Sequence, residues 1–238
     1  MTIQEIYSKY LTRLNNDTQA ARYKGKERFF HSSGAGLCTR KHYYSAVEQV
    51  EGKSFEDKTL RIFRIGNLIH EDIQNALREH AEQEGMRIFI EKELFIDEYN
   101  VRGFIDLALV EDNVIYDIKT CNSYKWTKMF GAMKDRNPSV QYEMQLATYG
   151  FWYQENYGEL NGMKILYYNK NNSDMREVDV PMVYLDKADA YWEMCNDVVI
   201  DKDKPPPINL GNAPVYQWEC GYCQYNNICE GIGKKWSK

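Results

Sequence analysis

Ile3, Ile6, Tyr7, Tyr10, Leu11 and Leu14 recur at helical spacing, which predicts a helix over residues 3–15. Residues 29–38, Phe-Phe-His-Ser-Ser-Gly-Ala-Gly-Leu-Cys, read as a loop entering a second helix near 39–49. A polar loop over 50–58 precedes a long helix over 59–84, with Gly85 as its stop. Residues 87–96 are rich in β-formers and read as a strand. After an irregular or partly helical stretch at 121–137, Asn137-Pro138-Ser139 starts a helix that should run to Tyr157, before Gly158. A strand at 162–170 and a helix at 187–199 follow. A Pro-rich connection over 201–212 then leads into a cysteine-rich tail.

The remaining stretch, residues 102–120, reads as a β-hairpin. Strand side chains alternate faces, so Asp117 and Lys119 point the same way. A two-residue turn at Asp112-Asn113 would pair Glu111 with Val114, set Asp106 opposite Lys119 and set Ala108 opposite Asp117. Asp106, Asp117 and Lys119 then share a solvent-side face, with small Ala108 leaving room. The core face carries Ile105, Leu107, Leu109, Tyr116 and Ile118. Two carboxylates and a lysine so placed can hold a hard divalent cation and still offer a positive group to a phosphate.

The chain has 238 residues, 43% hydrophobic and 27% charged, which suits a single globular domain over 1–238. No run is long enough to span a membrane, and the N-terminus lacks signal-peptide order, so a cytoplasmic protein is expected. In that compartment six cysteines are expected to be reduced or metal-bound. The net charge of −5 is unlike most nucleic-acid-binding domains. Two basic runs offset it locally: Arg22, Lys24, Lys26, Arg28, Arg40 and Lys41, then Lys125, Lys128, Lys134 and Arg136. Arg40, Lys41, Lys125 and Lys128 are candidate DNA contacts, and Trp126 stands among them.

Asp106 in a Gly-x-Ile-Asp context and Asp117-Ile118-Lys119 as a D-x-K element resemble the PD-(D/E)XK nuclease superfamily. The helix, three strands, helix, strand order matches the α-β-β-β-α-β core of that superfamily. His70, in a Gly66-x-x-x-His70 pattern on the long helix, resembles the RecB-like branch, where the equivalent histidine completes the metal site. Gln145-x-x-x-Tyr149, a pair on one helix face, also resembles that branch, where the equivalent pair lines the catalytic groove. The resemblance implies an α/β fold, a restriction-endonuclease-like core at about 59–170 with a central mixed sheet flanked by helices. It also implies Mg²⁺ or Mn²⁺ on His70, Asp106, Asp117 and the Ile118 carbonyl, with Asp106, Asp117, Lys119, Gln145 and Tyr149 as catalytic residues.

Cys220-x2-Cys223 alone would suggest zinc or another thiolate-bound metal. Cys38 joined to Cys220-x2-Cys223-x5-Cys229 resembles the iron–sulfur nucleases of the RecB-like branch, which include AddB-type subunits and CRISPR-associated adaptation exonucleases. There four thiolates hold a [4Fe–4S] cluster. That implies a helical iron–sulfur cap built from about 30–50 and 205–232, with zinc as the alternative; Cys121 and Cys195 are left as buried thiols. The expected activity is a metal-dependent DNA exonuclease of low sequence specificity, acting on single-stranded DNA or DNA ends in recombination, repair or phage DNA processing. A nuclease trimming spacer precursors in CRISPR adaptation, with a recombination or adaptation protein as partner, is one alternative. A catalytically silent nucleic-acid-binding module is the other.

Overall fold

The computed structural model describes residues 1–23, 29–50, 52–131, 140–207 and 217–229. Lys24, Lys26, Arg28, Lys134, Arg136, the Asn137-Pro138-Ser139 signal and residues 208–212 and 230–232 lie outside the described residues.

The long amphipathic segment forms helix α3 (Asp57–Glu84). It stops at Gly85, whose φ of 67° is left-handed and open to glycine without steric cost. Helix α1 (Ile3–Tyr23) runs beyond its expected end and packs on α3. A six-stranded mixed sheet follows from the β-rich segments: β1 (Phe30–His31), β2 (Ile88–Ile96), β3 (Val101–Leu109), β4 (Val114–Cys121), β5 (Gly162–Asn169) and β6 (Met175–Asp179). The two-residue β1, and β6, were not expected from the sequence. Helix α2 (Thr39–His42) continues into a wider turn over Tyr43–Val47. Helices α4 (Ser123–Phe130), α5 (Val140–Tyr157), α6 (Val183–Val199) and α7 (Gln217–Tyr222) complete the chain.

Strand β3 is the centre of the arrangement. One edge pairs along its length with antiparallel β2. The other edge is shared: β1 runs parallel to Val101 and Arg102, while β4 runs antiparallel to Leu107–Leu109. Between these contacts, no strand among the described residues pairs with β3 residues 103–106 on that edge. Strand β4 turns instead to β5, parallel over its whole length.

The hairpin register differs from the expected one. Leu109 pairs with Val114, Ala108 with Ile115 and Leu107 with Tyr116, so the connection has four residues rather than two. Glu111 is drawn away from pairing by Arg87, which binds its carboxylate through Nε at 2.9 Å and through the backbone N–H. The slip is two residues, so no side chain changes face and Asp106 moves from opposite Lys119 to the level of Asp117.

The expected solvent face of this hairpin is covered. Gly150 of α5 abuts Met163, and Met163 shares its face with Ile115, Asp117 and Lys119 through the β4–β5 register. Gly66 of α3 abuts Thr120, on the opposite face. The sheet is therefore layered between α3 and α5, and α6 packs behind α5. Ala108, Ile115, Leu146, Ala147, Met163, Ile165 and Trp192 form the core on the α5 side, whereas Leu109 and Tyr116 are only half-buried.

Candidate active site

Beyond the Leu107–Tyr116 pair β3 and β4 part, and the opening is filled by side chains. Asp106 Oδ2 accepts the Ile118 N–H at 2.8 Å, so a carboxylate takes the place of a ladder bond. His70, on α3, reaches the same oxygen with Nδ1 at 3.7 Å. One helical turn further, Gln74 donates to the Asp106 carbonyl at 3.2 Å and to Glu91 Oε1 at 2.8 Å.

Asp117 is fully buried. Its Oδ1 accepts from Lys119 Nζ at 2.7 Å, while Oδ2, 2.6 Å from the same ammonium, makes no well-directed hydrogen bond. From the α5 side, Tyr149 is covered except for 2% of its surface, and its hydroxyl accepts from Gln145 Nε2 at 2.5 Å and from Ser32 Oγ at 3.4 Å. Gly103 makes this approach possible. A Cβ there would stand 2.1 Å from Ser32 Oγ and 3.0 Å from Tyr149 Cε1.

Burial dominates the electrostatics. It pushes the Asp106 carboxyl up to about 6, against the opposing pull of Lys119 and the Ile118 N–H. It pushes Asp117 up to about 7, partly offset by Lys119 and reinforced by Asp106. Burial alone would lower Lys119, but Asp117 and Asp106 outweigh it and hold the ammonium above its usual range. His70 is lowered, first by burial and then by Lys119. Two carboxylates deprived of water, with one oxygen unsatisfied, suit a hard divalent cation in both donor type and missing charge. Among the described residues, no group of three or more His, Cys, Asp or Glu side chains is gathered tightly enough to hold a metal ion as placed.

The structure thus brings together every residue expected at the catalytic centre: His70, Asp106, Asp117, Ile118, Lys119, Gln145 and Tyr149. It adds three that the sequence did not flag. Ser32 arrives from the tight turn just after β1, 117 residues away in sequence from Tyr149. Gln74 ties α3 to β3. Glu91 stands in β2 at the level of Asp106, in a left-handed conformation (φ 50°), and its charge bears on both Asp106 and His70. A non-glycine residue in that conformation within a strand is strained, and such strain concentrates at functional sites. The i, i+4 spacing of His70 and Gln74 was the one available signal.

The candidate DNA contacts divide. Arg40 is buried, with its guanidinium bonded to Cys229 Sγ at 3.2 Å, the Pro206 carbonyl at 2.7 Å and the Tyr44 hydroxyl at 3.3 Å. It is held inside rather than offered to DNA, while Lys41 is half-exposed. Trp126 turns inward onto Phe130, ring centroids 4.7 Å apart. Lys125 and Lys128 remain at the surface of α4.

The segment of Cys38 lies beside the one that carries Cys220, Cys223 and Cys229, but among the described residues their thiols are not gathered into a group placed to hold a metal ion. The Cys38 N–H donates to Glu219 Oε2 at 3.0 Å, and Lys53 and Gln224 exchange hydrogen bonds at 3.0 and 3.1 Å. Burial pushes the Cys38 thiol up to about 11, with Glu219 and Cys223 adding to the rise. Cys223 and Cys229 likewise bear on Cys220. Cys121 and Cys195 are buried, as expected.

Comparison with known proteins follows the same lines. The family model for the PD-(D/E)XK nuclease superfamily matches residues 71–230, a span that opens one residue after His70 and includes Asp106, Asp117, Lys119, Gln145 and Tyr149. No curated protein matches the chain. Among solved structures, the protein titled SSO0001 is 16% identical, with 97% of each chain covered and a TM-score of 0.58. An alkaline exonuclease (LHK-Exo) from Laribacter hongkongensis is 8% identical over 71% of this chain and 86% of its own, with a TM-score of 0.46. A putative exonuclease from Eubacterium rectale is 16% identical over 70% and 78%, also at 0.46. With the family model covering most of its length, and with the carboxylates and lysine of the motif on one strand-built site, the chain belongs to the PD-(D/E)XK nuclease superfamily.

Proposed function

We propose that the protein is a metal-dependent deoxyribonuclease of the RecB-like branch, an exonuclease acting on single-stranded DNA or DNA ends with little sequence preference. The observation that carries this reading is the buried Asp106–Asp117 pair beside Lys119, met by His70 through the gap between β3 and β4.

Asp106, Asp117 and His70, with the Ile118 carbonyl, would hold Mg²⁺ or Mn²⁺. Such a cation supplies charge to the phosphate and acidity to a bound water. Lys119 keeps its proton against burial because Asp117 and Asp106 raise it, so it enters the reaction as a fixed positive charge against the phosphate. Gln145 and Ser32 both donate to the Tyr149 hydroxyl, which leaves the phenolic proton to point away from them, toward a substrate oxygen. Contacts to DNA through lysines and phosphates are independent of sequence and weaken with salt.

We assign Cys38, Cys220, Cys223 and Cys229 to a structural [4Fe–4S] cluster. Four thiols drawn from both ends of the chain are a matching donor set, and Arg40 Nε and the Tyr225 N–H, at 3.2 and 3.4 Å, donate to the sulfurs of Cys229 and Cys223.

Time-resolved digestion of 5′- or 3′-labelled DNA with Mg²⁺ or Mn²⁺ tests activity, mode and polarity together. Asp117→Ala should abolish cleavage and leave DNA binding largely intact. Undiminished cleavage by that variant would sink the assignment.

A further inference from the structure

Helix α4 starts two residues after the strand that carries Asp117 and Lys119. Its inner face is filled by buried Met129 and by the Trp126–Phe130 pair, which packs on Tyr167 at 5.5 Å. Tyr124 lies on the outer face with 72% of its surface exposed, so the core does not account for it. An exposed tyrosine alone is ordinary. This one stands among cations that lead back to the candidate active site. Lys128 Nζ lies 5.9 Å from the centre of its ring. Lys125 Nζ lies 4.0 Å from the Tyr142 ring, and Lys119 Nζ lies 5.1 Å from the same ring. The Tyr142 ring therefore lies between the lysine of the D-x-K element and a lysine of α4 as a shared aromatic neighbour. Tyr142 is three residues before Gln145 and continues the Gln145–Tyr149 stripe by one turn.

The start of α4 is also anchored. Asn122 Oδ1 accepts the Lys125 N–H at 2.8 Å as an N-cap, and the Ser123 N–H donates to Asn171 Oδ1 at 2.8 Å. A base-stacking ring needs a fixed mount, and this helix provides one.

We propose that Tyr124, Lys125 and Lys128 form a subsite for the unpaired nucleotide adjoining the scissile phosphate. Tyr124 stacks on its base, and the two lysines take the flanking phosphates. Tyr142 is a positioning residue that keeps Lys125 in line with Lys119. This rests on the nuclease reading above and narrows it to single-stranded DNA, because a base inside a duplex has both faces covered by its neighbours.

The test is a set of short labelled single strands, each with one abasic position, digested by the wild-type protein, Tyr124→Ala and Tyr124→Phe. One abasic position within about two nucleotides of the cleaved bond should lower wild-type kcat/KM roughly ten-fold, mainly through KM. Tyr124→Ala should lose about as much on the intact strand and nothing further at that position. Tyr124→Phe should match the wild type. No sensitive position, a Tyr124→Ala variant as sensitive as the wild type, or equal cleavage of duplex and single strands would each overturn the subsite. Fluorescence anisotropy of the same strands without divalent cation reads the position dependence through binding alone, so loss of the nuclease reading and loss of the subsite give different results.

Discussion

His42 is expected to make the fold acid-labile in a way that one substitution can isolate. The imidazole is fully buried. Its Nε2 lies 2.8 Å from the Tyr191 hydroxyl and 3.1 Å from the Gly34 carbonyl, and Tyr191 in turn donates to the Leu37 carbonyl at 2.7 Å. Phe30 and Trp192 close over the ring, and Gly34 packs so tightly that a Cβ there would meet His42 Cε1 at 2.4 Å. No carboxylate stands among these neighbours, and the nearby Lys41 and His31 disfavour a further positive charge. Burial, then Lys41, push the imidazole down from 6.5 to about 3. Because the folded-state value is depressed, the unfolded chain binds the extra proton between the two values. The stabilisation is complete above about pH 6.5 and drains away as the pH falls toward 3. Between pH 8 and pH 5 the loss amounts to about 2 kcal/mol at about 1.4 kcal/mol per unit. At an m-value near 2 kcal/mol/M that is a urea midpoint lower by about 1 M. His42→Gln removes the titration. Urea unfolding of both proteins at pH 8 and pH 5 should show the wild type losing about 2 kcal/mol more than the variant on acidification, with contributions from all other groups cancelling. Equal losses would refute the reasoning.

Gly103→Ala should cost about 1–3 kcal/mol of stability by overpacking, and should depress cleavage by displacing Ser32 and Tyr149; thermal melts and digestion on the same preparations check both. Trp192→Ala removes a fully buried ring that stacks on Phe30 at 5.7 Å and donates to Thr148 Oγ1 at 2.9 Å, and should cost about 3–5 kcal/mol in urea unfolding. Cys223→Ser should lower the melting temperature and abolish brown colour and iron content. An iron-free, colourless wild type prepared without oxygen would favour zinc on the same thiols.

The parts of the fold that follow one period were legible in the sequence. The stripe that placed His70 on a helix, the β-rich runs and the Gln145–Tyr149 spacing all describe elements that the structure contains. The hairpin register was legible only to within two residues. The side chain that decided it, Glu111, is engaged by Arg87 from another segment, and local turn chemistry carries no trace of that. The expectation of a solvent-facing carboxylate surface failed for a similar reason. Alternation tells which residues share a face, but not that α5 covers it. Ser32 and Glu91 were hidden more deeply, the first behind a contact made from the turn after a two-residue strand, the second behind a backbone angle that glutamate rarely adopts. The cysteine spacing suggested a thiolate cluster, which stays a proposal, whereas Arg40 looked like surface charge until its partners Cys229 and Pro206 were in place.

Eight residue pairs bind β2 to β3 and eight bind β4 to β5, yet only three join β3 to β4. The sheet is therefore two stiff plates on a short pin, and Asp106 and Asp117 stand on opposite plates just past it. A small rotation about the Leu107–Tyr116 pair changes the span between the carboxylates while every other ladder stays intact. Ligand distances differ by only a few tenths of an ångström between Mg²⁺ and larger divalent ions. For the cation proposed above, choice among metals would then be a question of how far this pin bends.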